Sequence, residues 1–129
     1  MRVALRLIAV IGAFSSLSFV PYYSVDEVIA ALRAGNAVEL AKYFDERVDL
    51  SLPDRSDNYS KNQAAMILKD FLANNPVKDF QVKHKGESNG SEFCFGVLVT
   101  RTGSFRTKLY MKMKGDRQVL QELGFQRLE

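Results

Sequence analysis

The sequence predicts an α+β fold in which helices pack on one face of a curved antiparallel sheet. Apolar residues recur at helical spacing in the segments between residues 24 and 76, and they alternate with polar residues from Phe80 onward. Glycine-bearing connections separate the later segments, as is typical of hairpins between consecutive strands. The 129 residues suit one domain, which we place at residues 24–129.

Residues 1–18 have the order of a secretory signal peptide. Arg2 and Arg6 precede an apolar run at 7–14, and small residues follow at 15–18. We expect cleavage after Ser15 or Ser18 and a periplasmic or secreted protein, with no stable membrane anchor after cleavage. An uncleaved anchor is the alternative, because no charged residue occurs at 7–25 and about 20 apolar residues span a bilayer.

Two helices are predicted directly after this segment. Ser24 and Glu27 have the spacing of a capping box, and the helix that they open is expected to end at Gly35. Asn36, with Glu39 three residues later, predicts a second, short helix that carries residues 38–44.

A strand and a long helix follow. Residues 48–52 alternate as a strand does and stop at Pro53, and the polar residues 54–58 are expected to form a loop. Ser60 and Gln63 predict a capping box for the longest helix, which is expected to end at 74–76 because Pro76 cannot continue it. Segments near 80–85, 93–100, 105–114 and 119–125 then predict a four-strand antiparallel meander.

Charge and cysteine content exclude several kinds of site. The formal net charge is +3, and loss of Arg2 and Arg6 leaves 16 basic groups against 15 acidic groups, so we expect no nucleic-acid partner. Cys94 has no second cysteine for an internal disulfide, and one cysteine with one histidine cannot form a zinc site. We therefore expect no metal and no cofactor, and we expect Cys94 to be packed and inert.

Several local motifs resemble an uncharacterised bacterial family of small exported proteins within the nuclear transport factor 2-like, or cystatin-like, superfamily. The resemblance covers about residues 25–126 and is carried by the segments 26–32, 35–36, 40–45, 59–64, 69–71, 74–76 and 84–88. It implies a cone-shaped fold with a pocket between the helices and the bent sheet. It implies no activity, because the superfamily includes isomerases, dehydratases and non-catalytic binding proteins.

Strand parity suggests which residues line that cone. Large apolar side chains favour a mostly filled interior with at most a shallow opening near His84. The expected lining residues are Phe80, Val82, His84, Phe105, Leu109, Met111, Leu123, Phe125, Ile67 and Phe71. His84 and Tyr43 are the only catalytic candidates. No inward carboxylate accompanies His84 on the strands, so a histidine bonded to backbone or water is the favoured interpretation.

Two surfaces are candidates for binding. An apolar patch for a homodimer is expected on the outward side of the sheet, at Cys94, Gly96, Leu98 and Leu120. A basic surface is expected from residues of outward parity, where a solubilising face is the alternative to an anion site. These residues are Lys83, Lys85, Arg106, Lys108, Lys112 and Lys114.

Three functions remain open from the sequence. The first is an exported non-catalytic binding or interaction domain, dimeric through its sheet, with a small apolar ligand as a candidate. The second is a small-molecule enzyme of isomerase or hydro-lyase type that uses His84. The third is an envelope protein that binds anionic glycan or lipid through the basic surface.

Overall fold

Helices and one hairpin alternate in the first half of the fold, and four strands in succession form the second half. The computed structural model describes residues 24–129, so the expected signal peptide at 1–18 lies outside the described residues. The elements are α1 Val25–Ala34, α2 Ala37–Ala41, β1 Phe44–Leu52, β2 Arg55–Ser60, α3 Lys61–Asn74, β3 Val77–Ser88, β4 Ser91–Thr100, β5 Gly103–Lys114 and β6 Arg117–Arg127.

The six strands form one sheet in the order β2-β1-β6-β5-β4-β3. The run from β3 to β6 is the predicted antiparallel meander. However, β1 lies parallel to β6, so the sheet is mixed rather than wholly antiparallel. The α+β fold class, with helices on one face of a curved sheet, is confirmed.

The helix ends follow the predicted signals with two exceptions. The first is α2, which was predicted to carry residues 38–44 but ends at Ala41, because Phe44 already belongs to β1. The second is the capping box of α1. The Asn36 side chain accepts from the Glu39 amide, the Ser60 hydroxyl accepts from the Gln63 amide, and Gly35 closes α1 in the left-handed conformation. Ser24 does precede α1, but within residues 24–129 its side chain makes no capping hydrogen bond, so the predicted capping box is wrong. The Ser24 carbonyl accepts from the Glu27 amide instead.

The loop expected at 54–58 is also wrong, because Arg55–Ser60 forms strand β2. This strand is at the sheet edge and is exposed along most of its length, so it lacks the apolar alternation that marks a half-buried strand. Polar contacts hold it to β1. Arg47 Nε donates to Asn58 Oδ1 at 2.7 Å, and Asn58 Nδ2 donates to Asp49 Oδ1 at 2.7 Å.

All three helices lie on one side of the sheet, which we call its inner face; the opposite side is the outer face. α1 packs against β3 and β4, and α3 packs against β1, β2 and α2. Rings join the two layers, since Phe71 of α3 stacks on Phe125 at 5.0 Å and meets Phe105 edge-on at 5.2 Å between centroids.

Eight of the ten residues expected to line a pocket belong to this interior. Ile67 is partly buried and packs against the core. The other seven are buried: Phe71, Phe80, Phe105, Leu109, Met111, Leu123 and Phe125. Large side chains therefore occupy the positions where a pocket would open.

The other two, Val82 and His84, were predicted to line the interior but do not. The pairing of β3 with β4 shifts by one residue between them, so the bulge at Lys83 turns His84 to the outer face, opposite Phe95. Val82 remains opposite Gly96 but is 39% exposed at the sheet edge. His84 therefore does not line the interior, and the shallow opening that the sequence predicted beside it is not formed by this residue.

The predicted dimer patch is also wrong, because its residues lie in the core. Cys94, Leu98 and Leu120 are 0% exposed, and Gly96 is buried. β4 is apolar on both faces, so its sequence does not reveal which face meets the helices. The small residues Cys94 and Gly96 face inward, and the large rings of the same strand face outward.

Candidate functional site: the outer face of the sheet

Four ring-bearing side chains occupy the outer face of β3, β4 and β5. They are His84, Phe93, Phe95 and Tyr110, which we call the aromatic cluster. Strand register brings them together, since His84 is paired with Phe95 and Phe93 with Tyr110. Paired residues in adjacent strands project from the same face, so the cluster extends across three strands.

The rings of the cluster are close to one another and only partly covered. The His84 ring lies 5.6 Å from Phe93 and 6.4 Å from Phe95 between centroids, and the two phenylalanine rings are 5.7 Å apart. Phe95 is 43% exposed and Tyr110 is 36% exposed. A contiguous exposed apolar surface of this kind marks an interaction site more often than scattered apolar residues do.

Gly86 explains how Phe93 lies flat on the sheet. A Cβ at Gly86 would be 2.5 Å from Cζ of Phe93, so the ring occupies the space over the glycine. The Tyr110 hydroxyl donates to Ser91 Oγ at 3.0 Å. The cluster is thus supported from β3 and from the start of β4.

Two adjoining depressions border the cluster. One has a volume of about 360 Å³ and lies between Phe93, Tyr110 and Glu122. The other, of about 410 Å³, extends over Gly124 toward Ser51. Phe95 and Lys108 line both, so they form the ridge between them.

The basic residues of β5 share this face, but most are engaged within the chain. Arg106, Lys108, Lys112 and Lys114 are all exposed, together with Tyr110, along one side of the strand. Their partners are in β1 and β6: Lys108 Nζ is 2.9 Å from Glu122 Oε2, Lys114 Nζ is 2.8 Å from Asp45 Oδ1, and Arg106 Nη1 donates to Gln126 at 3.2 Å. Acidic and amide groups thus border the basic strand.

The contact of Lys114 with Asp45 also shifts the pKa of both groups. Burial raises the pKa of Asp45, but hydrogen bonds from Lys114, Gln121 and the Glu46 amide outweigh burial and leave it below its ordinary value. The hydrogen bond to Asp45 raises the pKa of Lys114.

Lys85 does not belong to this surface, which corrects the predicted basic patch. The bulge at Lys83 places Lys85 opposite the inward Cys94, and its Nζ lies 2.6 Å from Asp26 Oδ1 of α1. That hydrogen bond raises the pKa of Lys85. Burial raises the pKa of the Cys94 thiol, which disfavours the reactive thiolate.

The two catalytic candidates do not meet. Tyr43 is 6% exposed and belongs to the core cluster under the helices, whereas His84 is exposed on the outer face. Across the described residues, no group of three His, Cys, Asp or Glu side chains is placed to hold a metal ion. Within the same residues, no helix is long and apolar enough to span a membrane.

Comparisons with solved structures place this geometry among known folds. A protein from Bacteroides uniformis ATCC 8492 superposes with a TM-score of 0.79 at 29% identity, covering 83% of this chain and 99% of its own. A protein from Bacteroides ovatus ATCC 8483 has a TM-score of 0.76 at 30% identity, covering 80% of this chain and 94% of its own. Both are described as DUF4783 family proteins.

More distant structures share the fold alone. An NTF2-like protein of unknown function from Cytophaga hutchinsonii has a TM-score of 0.60 at 11% identity, covering 86% of this chain and 95% of its own. A cystatin-fold protein from Novosphingobium aromaticivorans has a TM-score of 0.59 at 16% identity, with coverages of 80% and 94%.

No functionally curated protein matches the chain. A family model does, over residues 25–126, and its description is a domain of unknown function, DUF4783. The match extends from the first helix into the last strand, to within one residue of its end, and includes the residues of the aromatic cluster. The chain belongs to the DUF4783 family and has the nuclear transport factor 2-like, cystatin-like fold.

Proposed function

We propose that this protein is an exported, non-catalytic interaction domain that forms a homodimer through the outer face of its sheet. The observation that carries the dimer is the aromatic cluster, which the helices on the opposite face cannot cover. Export rests on the basic, apolar and small-residue order of residues 1–18.

The composition of the outer face supports self-association. Interfaces are enriched in aromatic residues at their centre and carry polar groups at their rim. Phe93 and Phe95 supply such a centre, and the Lys108–Glu122 pair lies beside it. A two-fold axis through Phe95 would bring the same residues of both copies together, which is the commonest symmetry of soluble oligomers.

The charge of this face does not favour a polyanion. Lys108 and Lys114 each have a carboxylate partner within the chain, so a phosphate or sulfate polymer would have to compete with Glu122 and Asp45. Binding of anionic glycan or lipid is therefore the weaker proposal for the same surface. The enzyme hypothesis is also the weaker one, because His84 on the outer face and Tyr43 in the core do not form a pair of catalytic groups.

A lysine at position 95 tests the dimer. We expect the wild type to sediment as a dimer at micromolar concentration and Phe95→Lys to sediment as a monomer, because two like charges would face each other in a desolvated interface. Phe95 is 43% exposed, so the variant should keep the circular dichroism spectrum of the wild type.

Val38→Lys is the matched control. Val38 is 65% exposed on α2, on the helical side of the molecule, and the same substitution there should leave the dimer intact. A monomeric wild type would refute the proposed dimer, and a dimer that survives Phe95→Lys would place the interface elsewhere.

A further inference from the structure

A second concave site lies on the helical side, with a lining that shares no residue with the aromatic cluster. It is a cleft of about 490 Å³ between α3, the turn from β1 to β2, and the end of β6. Ligand sites typically have volumes of about 300–1,000 Å³. Leu52, Ile67 and Phe71 supply apolar surface, and Met66 lies at the rim with 71% of its surface exposed.

Arg127 presents a positioned cation to this cleft. Its Cζ lies 4.6 Å from the centroid of Phe105, and its Nη1 donates to the Thr102 carbonyl at 3.1 Å. Within residues 24–129, no carboxylate lies at ion-pair distance from it. The guanidinium is therefore oriented by the fold and retains N–H groups for a carboxylate, which it binds in a fork geometry.

Asp70 presents the opposite charge from the helix wall. It lies one helical turn from Met66 and one from Asn74, so these three residues share one ridge of α3. Its partner is the Asn74 side-chain amide at 3.5 Å, a long contact that leaves the carboxylate available. The C-terminal end of a helix carries partial negative charge, which adds to the attraction for a cation here.

We propose that the cleft binds a short apolar peptide with free termini, its carboxylate at Arg127, its ammonium group at Asp70 and its side chains on Leu52, Ile67 and Phe71. A fatty acid would satisfy Arg127 but meet Asp70 as a like charge. An apolar amine would have the reverse problem. Only a ligand with both charges uses both Arg127 and Asp70, so this pair favours a zwitterion.

The α3 wall limits how much of a ligand the cleft can hold. The ridge from Met66 to Asn74 spans about 12 Å at 1.5 Å per helical residue. An extended peptide covers about 3.3–3.6 Å per residue, so about three residues can lie along this wall. The polar end of the cleft is preorganised, because the Asn75 side chain bonds both Phe71 O and the Thr102 hydroxyl.

The experiment is a calorimetric titration with the tripeptide Leu-Leu-Phe in three forms: free, N-acetylated and C-amidated. With wild-type protein we expect each modification to weaken binding by about tenfold, the loss for one hydrogen bond to a charged group. Asp70→Asn should remove the penalty for acetylation alone, and Arg127→Gln should remove the penalty for amidation alone. Phe95→Lys should bind as the wild type does.

Asp54→Asn and Arg55→Gln are matched controls on the other wall of the cleft. They make the same charge changes, and both should retain both penalties. Equal binding of the three peptides by the wild type would overturn the proposal, as would no binding of the free peptide at millimolar concentration. Tighter binding of hexanoate than of the free peptide would overturn the zwitterion and indicate an anion site.

Discussion

Gly96 has no side chain, and this allows β3 and the core to pack closely against β4. A Cβ there would be 2.4 Å from the Gln81 carbonyl oxygen and 2.7 Å from Cζ of Phe80. The carbonyl belongs to the sheet and cannot move without breaking strand pairing. We expect Gly96→Ala to lower the free energy of unfolding by about 1–3 kcal/mol, the range for overpacking a core.

Gly124 is the matched control for this prediction. A Cβ at Gly124 meets Lys108 and Ser51 at an ordinary 3.5 Å. Gly124→Ala should therefore be neutral or stabilise by up to about 1 kcal/mol, because alanine restricts the unfolded chain. Urea unfolding of both variants measures the difference, and equal stabilities would contradict the steric argument.

Single residues also explain why the site could not be predicted correctly. Strict alternation from Phe80 puts His84 on the inner face, but the bulge at Lys83 reverses the parity of everything that follows it in β3. A bulge is one extra residue, and nothing in the local composition marks this one. Its effect is to move His84 from the expected pocket to Phe93 and Phe95.

At the scale of elements, the N-cap of α3 is a contact that the sequence indicated and the structure contains. The Gln63 amide donates to the Ser60 hydroxyl at 3.2 Å. We expect Ser60→Ala to lower the free energy of unfolding by about 1 kcal/mol, the usual loss for such a cap. Ser24→Ala is the control and should cost less, since the Ser24 side chain makes no capping hydrogen bond among the described residues.

Thermal and urea unfolding of the two serine variants tests this comparison. A larger loss for Ser24→Ala would mean that the hydroxyl of Ser24 has a role in solution that its geometry does not indicate. Equal losses would mean that cap hydrogen bonds do not set the stability of either helix.

Elements with a clear apolar period were predictable, and those without one were not. Helix α3 and the meander follow from the spacing of Leu68, Phe71, Phe105 and similar residues, which are buried. β2 has no apolar face, so it resembled a loop, and β4 has two, so its orientation was ambiguous. The aromatic cluster was missed because β4 is apolar on both faces, although an uncovered apolar strand is itself a signal for a partner.

At the scale of the molecule, the sheet joins distant parts of the chain at the parallel pair of β1 and β6. The Asp45 side chain links β1 to β5 and β6 at this junction. It accepts hydrogen bonds from Gln121 Nε2 at 3.0 Å and from Lys114 Nζ at 2.8 Å. Its side chain is only 12% exposed. We expect Asp45→Asn to lower the free energy of unfolding by about 1.5–3 kcal/mol at neutral pH, the range for hydrogen bonds to a charged group.

The effect of this variant should depend on pH with a definite sign. The pKa of Asp45 is lower in the folded state than in the unfolded state, so its ionised form stabilises the fold above the unfolded value of about 4. That stabilisation is lost as the pH falls through the folded value. Lys114 has the opposite dependence on pH. Because its pKa is raised in the folded state, its charged form stabilises the fold below the unfolded value of about 10.4, and this stabilisation is lost as the pH rises through the folded value.

Urea unfolding of the wild type and Asp45→Asn from pH 2 to pH 8 measures this dependence. The difference between the two proteins should be constant from about pH 5 to pH 8 and shrink toward pH 2, because the wild-type carboxyl becomes neutral there. Asp54→Asn, which removes an exposed carboxyl at the β1–β2 turn, should show little difference at any pH. A gap that stays the same at pH 2 would mean that Asp45 acts through its shape and neutral hydrogen bonds rather than through its charge.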